Sequence, residues 1–519
     1  MKKILAVLLS IGLMFTFTAC DLLKQDVTSN TPGASNNGGQ SGGSNTSGGS
    51  NTSSGSNTSG GSTNDGGYKT IGKVDPTDPS VYTLDCMTSM GMWETPKSNK
   101  DVDAAAKKML KNIENNPDTL KPKSGGKYIY VANGGTDASG YGTSESKPVA
   151  TIAYANSMAK SGDVVVLKRG NFWRERIVGK EGVSYGAYGE GNKPTLYGSP
   201  ENLANREWKK TATKDVYSVA IGATNNIGAL VFDHGVAVGS LKASAADVKD
   251  KYDFYISGAK ANVYCPDGNP GKMFANIEIC SGDHIIKLKS NSTVQNLRLM
   301  YTGIHGISMG TVSNVEVDGC VVGYIGGGRS GAGARLGNGI EVYGGCNGYT
   351  IRNCHVYQCY DAGVTFQYDG SIEEKNILFE NNLLEYSVYN IEYFMGGKDG
   401  VMKDVLIQGN IMRFGGYGWG YHTRPDKGRG TNFEGRGMQN RTENFVVKNN
   451  TFDLSQSFLL EISAKEDSWL PAFSGNTYYQ LDKTRVARIQ DMDYGLKRYG
   501  EEIITQFLGD KTGKLVVYK

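Results

Sequence analysis

The chain has 519 residues, with 55 Lys and Arg against 52 Asp and Glu, a formal charge of +3 and 21% charged residues. So even a balance, with no like-charge block, excludes a nucleic-acid or polyanion binder working through bulk charge. The 71 Gly are about twice the usual share of roughly 7%, while Pro stands at only 13, which excludes collagen and Pro-rich disorder and assigns much of the glycine to tight turns.

Lys2 and Lys3 precede an apolar run over 4–17 that is short for a bilayer span and is followed by Thr18, Ala19 and Cys20. That pattern predicts a signal peptide over 1–20. Phe17-Thr18-Ala19-Cys20 resembles a bacterial lipobox with Phe where Leu is usual. The resemblance implies lipidation of Cys20, a membrane contact through that anchor, and a surface-exposed place in a bacterial cell envelope. Residues 21–67 read as a tether: from Thr28 onward they are almost wholly Ser, Gly, Asn and Thr, with Ser-Asn-Thr-Ser at 44, 50 and 56 and Asp65 as the sole charge. Such a stretch buries no core, and forty residues of it span on the order of 35 Å.

The segment 68–125 carries a predicted helix over 101–115, where Val102, Ala105, Ala106, Met109, Leu110 and Ile113 keep helical spacing before Pro117. This helix is expected to cap the folded body C-terminal to it. Beyond Lys127 the pattern changes to short strands between Gly, Asn and Asp turns, with one brief helix over 151–160. A repeat then emerges. The segments 315–320, 349–354, 377–382, 405–410 and 445–450 each alternate apolar and polar residues and end on Cys320, Cys354, Asn382, Asn410 and Asn450, at spacings of 34, 28, 28 and 40. About ten residues after the earlier ones comes a second short strand, as in 306–309, 339–342, 363–366 and 390–393, and the last copy is 459–462. One strand pair repeated with one signature defines a solenoid.

At this point the chain resembles right-handed parallel β-helix proteins of the pectate-lyase-like class. Tyr128-Ile-Tyr-Val-Ala-Asn-Gly-Gly-Thr-Asp137, Lys147-Pro-Val-Ala-Thr-Ile152 and Gly162-Asp-Val-Val-Val-Leu-Lys-Arg-Gly-Asn-Phe-Trp-Arg-Glu175 look like the first coil and end-capping helix of that class. The resemblance implies an all-β solenoid over 126–480 with an N-terminal helical cap and a C-terminal cap over 481–519. For activity it leaves lyases, hydrolases, esterases, epimerases and adhesins open.

In the second strand of each repeat the residue between two inward apolar positions faces out. Ser308, Glu341, Thr365, Glu392 and Glu461 are thereby predicted to form one outward, solvated column, with Gly420 in the coil between the last two. Glu341 and Glu392, two coils apart, lie about 9 to 10 Å from each other, near the roughly 6.5 to 9.5 Å used by inverting glycosidases. Asp361 at the adjoining corner is a closer carboxylate for either. Glu341, Asp361 and Glu392 are therefore the candidate catalytic residues. His305, Arg335, Gln367, Tyr393, Trp419 and His422, with further aromatics and arginines in a loop over 415–437, are candidates for binding sugar rings and hydroxyls. Asp233-His234-Gly235 falls in an excursion between coils and reads as structural.

Seven cysteines besides Cys20 show no zinc spacing, and Cys320 and Cys354 read as small residues stacked inside the coil rather than a disulfide. The expected function is hydrolysis of a polysaccharide by a monomer without cofactor. Two alternatives stand beside it: β-elimination on a uronic-acid polymer, in which the acidic column could hold Ca2+, and a non-catalytic carbohydrate-binding or structural surface protein.

Overall fold

The computed structural model describes residues 74–222, 225–329, 336–425, 429–437 and 439–518. The signal peptide, Cys20, the tether and Arg335 lie outside the described residues.

From Tyr128 to Tyr518 the chain winds into a right-handed parallel β-helix built of three ten-stranded sheets. Within a coil the chain visits them in turn: Cys346–Arg352 in the first sheet, His355–Cys359 in the second and Ala362–Tyr368 in the third. The next coil repeats the order with Glu373–Glu380, Leu383–Glu385 and Tyr389–Met395. Alternate side chains point inward and stack on their counterparts, so Ile307, Ile340, Val364, Ile391, Phe433 and Leu460 run as one buried file. The register comes from burial, because a slip of one residue would turn this file out to water.

The corner between first and second sheets explains the repeated Asn. A residue with positive φ, such as Asn381 or Gly409, makes the turn, and the next residue points inward. There Asn382, Asn410, Asn450 and Asn476 form a ladder. Each Oδ1 accepts from the backbone N–H of the preceding member at 2.9 to 3.0 Å, and each Nδ2 donates to a carbonyl one coil back. Asp510, fully buried, ends it by accepting from the backbone N–H and Nδ2 of Asn476. A carboxylate only accepts, which suits the last rung. Cys320 and Cys354 continue the ladder toward the N-terminus, and the seven described cysteines are all free and buried.

The N-terminal helical cap is present, but the helix over 101–115 does not form it and the C-terminal bound differs from expectation. The helix Lys100–Glu114, capped by Asn99, lies along the outer face of the second sheet, where Val102, Ala106 and Ile113 pack with Met300, Val321, Tyr357 and Leu383. The short helix Ile152–Met158 plugs the first coil with Ile152 and Ala155 and is the end-capping helix that the resemblance implied. The solenoid also runs past 480: Arg485–Ile489 extends the third sheet and Lys514–Tyr518 the second, and Ile503, Ile504 and Leu508 close the core. Between Tyr197 and Ile286 an excursion forms a four-stranded antiparallel sheet and a three-stranded one.

Candidate active site on the third sheet

Strand pairing places Ser308, Glu341, Thr365, Glu392, Glu434 and Glu461 at one level of the third sheet, with Arg488 beyond. The residue between Glu392 and Glu461 is Glu434, not Gly420. Gly420 sits in a one-turn helix, Trp419–Thr423, and the chain re-enters the sheet only at Thr431. The repeat Asn390-Ile-Glu392 and Asn432-Phe-Glu434 was the signal that could have shown this. It was obscured because the glycine-rich 415–437 stretch reads as one loop.

Two outward rows flank the carboxylates. Three residues before each of these positions, at the corner leading into the strand, lie His305, Asn338, Ala362 and Tyr389. His284 stacks on His305, with ring centroids 5.4 Å apart. Two residues later lie Tyr343, Gln367, Phe394 and Arg436, half-buried or exposed. This third row supplies the half-exposed rings. The structure places Tyr393 elsewhere: adjacent residues of a strand face opposite ways, and Tyr393 stacks on Phe366 inside the coil with no exposure. Trp419 is likewise buried, against Tyr360, with its Nε1 donating to the Gln358 carbonyl. His422 is half-buried against Trp93, 5.1 Å between centroids. Neither Trp419 nor Tyr393 meets the carboxylate row.

The carboxylates are not solvated as expected. Glu341, Glu392, Glu434 and Glu461 are each 5% exposed or less, because the flanking rows and three arginines cover them. Glu341 accepts from Asn338 Nδ2 at 2.5 Å and faces His305 Nε2 at 3.4 Å, with Gln367 Nε2 at 3.5 Å. His305 Nδ1 accepts the Asn338 backbone N–H at 2.9 Å, so Nε2 carries the proton of the neutral ring. Burial holds both imidazoles neutral, pushing His305 and His284 down to about 4. Burial also pushes the Glu341 carboxyl up to about 7, opposed mainly by the Asn338 bond.

Glu392 is raised by burial while Arg436, at 2.6 Å, pulls the other way. Glu434 accepts from the Thr431 hydroxyl at 3.3 Å, and burial together with the neighbouring Glu392 charge pushes it up to about 8. Asp361 pairs with Arg424 at 2.5 Å, and its charge lifts both Glu341 and Glu392. Glu461 pairs with Arg429, yet its Oε2 and the Thr365 hydroxyl are buried with no hydrogen-bond partner. The arrangement thus holds a proton on Glu341 near neutral pH and carboxylates beside arginines one and two coils away. The structure brings together Glu341, Asp361, Glu392, His305 and Gln367. Among the described residues, no group of three or more His, Cys, Asp or Glu is arranged to hold a metal ion.

No family model and no curated protein matches the sequence. In structure the chain is similar to XylC, solved with xylose, at 12% identity over 75% of this chain and 82% of that one, with a TM-score of 0.38. It is similar to a GH136 lacto-N-biosidase from Eubacterium ramulus at 12% identity, 76% and 67% coverage and a TM-score of 0.35. The pectate lyase Pel9A is similar at 12% identity, 70% of each chain and a TM-score of 0.40.

Proposed function

We propose that the third-sheet face cleaves a polysaccharide by glycosidic hydrolysis. The observation that carries this reading is the three-row face itself: Glu341 and Glu392 two coils apart, beside an outward row of Tyr343, Gln367 and Phe394. Aromatic faces stack on sugar rings, while the amide and the arginines bond hydroxyls. Glu341 gives its proton to the glycosidic oxygen as the bond to the anomeric carbon breaks. Water attacks that carbon and passes a proton to Glu392, which Arg436 keeps available as the anion. Asp361, anchored by Arg424, borders both carboxylates. A separation of about 9 to 10 Å for two coils leaves room for the water and corresponds to inversion of configuration.

Elimination would require carboxylate oxygens converging on Ca2+, or a cation free to meet a substrate carboxylate. Asp361, Glu392 and Glu461 each face an arginine instead, which supports hydrolysis. The protein is proposed to work as a lipid-anchored monomer in the cell envelope, and Cys20→Ser should release it to the soluble fraction.

The test is to incubate the protein with a panel of plant and bacterial glycans, scoring new reducing ends together with the ultraviolet absorbance of unsaturated uronate ends. Reducing ends without that absorbance support hydrolysis. Unsaturated ends establish a lyase, and binding without cleavage establishes the non-catalytic reading.

A further inference from the structure

The Glu341 carboxyl sits in a clamp whose two donors are each oriented by a backbone N–H. Asn338, 2% exposed, lies three residues before it, at the corner where the chain enters the strand. Gly339 permits the close approach there, since a Cβ at that position would fall 2.5 Å from the Gly363 carbonyl oxygen and from Val356. The Asn338 side chain thereby reaches both its own strand and the next coil. Its Oδ1 accepts the backbone N–H of Ala362 at 3.0 Å, and its Nδ2 donates to Glu341 Oε2 at 2.5 Å.

A backbone N–H only donates, so the end of the amide that faces Ala362 is the oxygen and the end that faces Glu341 is the NH2. The same reasoning fixes His305. Its Nδ1 accepts the Asn338 backbone N–H at 2.9 Å, which leaves the ring proton on Nε2, 3.4 Å from Glu341 Oε1. One residue thus orients both donors, the first through its side chain and the second through its main chain.

The two oxygens of Glu341 are therefore not equivalent. Oε2 takes the short Asn338 bond, with Gln367 Nε2 at 3.5 Å, whereas Oε1 meets His305 at 3.4 Å and the Ser308 hydroxyl at 3.5 Å. In the protonated acid the short N–H bond belongs on the carbonyl oxygen, and the Ser308 oxygen, which can also accept, lies on the Oε1 side. At other levels of the column the corner residue differs. Tyr389 stands before Glu392, which Arg436 meets at 2.6 Å, and Thr431 before Glu434, whose bond at 3.3 Å comes from a hydroxyl that can rotate.

We infer that Asn338 is a positioning residue for the proton donor Glu341, holding Oε2 as the acceptor so that the acid proton resides on Oε1. Its part in catalysis rests on the hydrolytic reading above; the clamp does not. The titratable and charged groups around the carboxyl are His305, His284 with Asp283, Asp361 with Arg424, and the buried Tyr349 inside the coil. Burial raises the Glu341 carboxyl, and the Asn338 bond is the largest effect opposing it.

The test is infrared difference spectroscopy on the full-length protein, each spectrum taken against the Glu341→Gln counterpart so that only this carboxyl is seen. In mildly acidic solution the parent should show an acid C=O stretch at the low frequency of a hydrogen-bonded carbonyl. The high frequency of a free carbonyl overturns the proposal without any Asn338 variant. In Asn338→Ala the anion loses its shortest hydrogen bond, so Glu341 should hold its proton on the order of tenfold more tightly, read as a higher titration midpoint. Asn338→Asp keeps the shape and turns the donor into an acceptor, so it should also raise the midpoint, and it serves if thermal unfolding shows that Asn338→Ala does not fold. An unchanged or lowered midpoint in either folded variant overturns the proposal. On a cleaved substrate the falling limb of kcat against pH should move with the midpoint while KM changes little. A limb that stays in place while the midpoint moves assigns proton donation to a group other than Glu341 and overturns the role of Asn338 in catalysis. If the parent cleaves no glycan, the hydrolytic reading fails and the spectra still decide the clamp.

Discussion

The outer faces of the second and third sheets both bury charge, and they treat it in opposite ways. On the second sheet Glu385 lies between His355 Nε2 at 2.9 Å and Arg413 at 3.2 Å, and Arg413 also reaches Asp103 of the covering helix at 2.8 Å. Burial alone would raise Glu385, but its partners win and its carboxyl is held below the ordinary value. Arg298 and Glu114 likewise pair beneath the helix at 2.9 Å. On the third sheet burial wins: Glu341 and Glu434 are pushed up to about 7 and about 8, and Glu461 and Thr365 keep orphaned oxygens. A compensated ion pair holds elements together, whereas under-compensated carboxyls raised toward neutrality are the kind of group suited to proton transfer near neutral pH.

Breaking the second-sheet network should have the largest effect. Glu385→Ala leaves Arg413 and His355 facing a void and should destabilise by about 3 to 5 kcal/mol, read by denaturant unfolding, with the activity per folded molecule unchanged. The converse variant on the third sheet should do the reverse. Glu341→Gln and Glu392→Gln should each cut turnover on the order of a hundredfold or more, about 2.7 kcal/mol in barrier, with the fold retained. In the parent, turnover should decline as pH rises through about 7, because the proton donor is then lost from Glu341. A Glu341→Gln protein that unfolds while Glu385→Ala stays folded would invert the comparison.

Smaller effects sharpen it. Asn410→Leu leaves the Asn382 backbone N–H and the Phe379 carbonyl unpaired and should cost about 1 to 3 kcal/mol with no change in activity. Glu374 offers a control inside the coil, since both of its carboxyl oxygens lack partners and burial pushes it up to about 8. Between the ordinary value of 4.5 and about 8 the native state holds a proton that the unfolded chain has released, so stability falls as pH rises across that window. Glu374→Met should remove that slope and stabilise by about 1 to 2 kcal/mol at pH above the window, as thermal unfolding over a pH series will show.

Much of the solenoid was legible because its physics is local and repeated. Period-two alternation, an inward Asn after each left-handed turn and strand pairs at spacings of 28 to 40 residues defined the coil and put Glu341, Thr365 and Glu392 at one level. What failed failed for identifiable reasons. Tyr393 and Phe394 differ by one step of strand parity, so the ring facing solvent is decided by register. Glu434 was hidden behind a stretch whose glycines read as loop but whose end, Thr431–Arg436, forms a strand. The helix Lys100–Glu114 shows an apolar stripe in sequence, yet nothing in that stripe says whether it seals an end or lies along a side.

The sequence by itself determined the repeat, the inward file and all of the outward column except Glu434, since each depends on residues within a few positions of one another. Only the tertiary structure decided how those carboxylates behave. Their burial comes from arginines 32 to 63 residues away, Arg429 on Glu461, Arg436 on Glu392 and Arg424 on Asp361, and from rows stacked by coils above and below. Desolvation depends on everything that surrounds a group, so the same Glu that reads as solvated in a strand pattern has its carboxyl raised toward neutral pH when the neighbouring coils close over it.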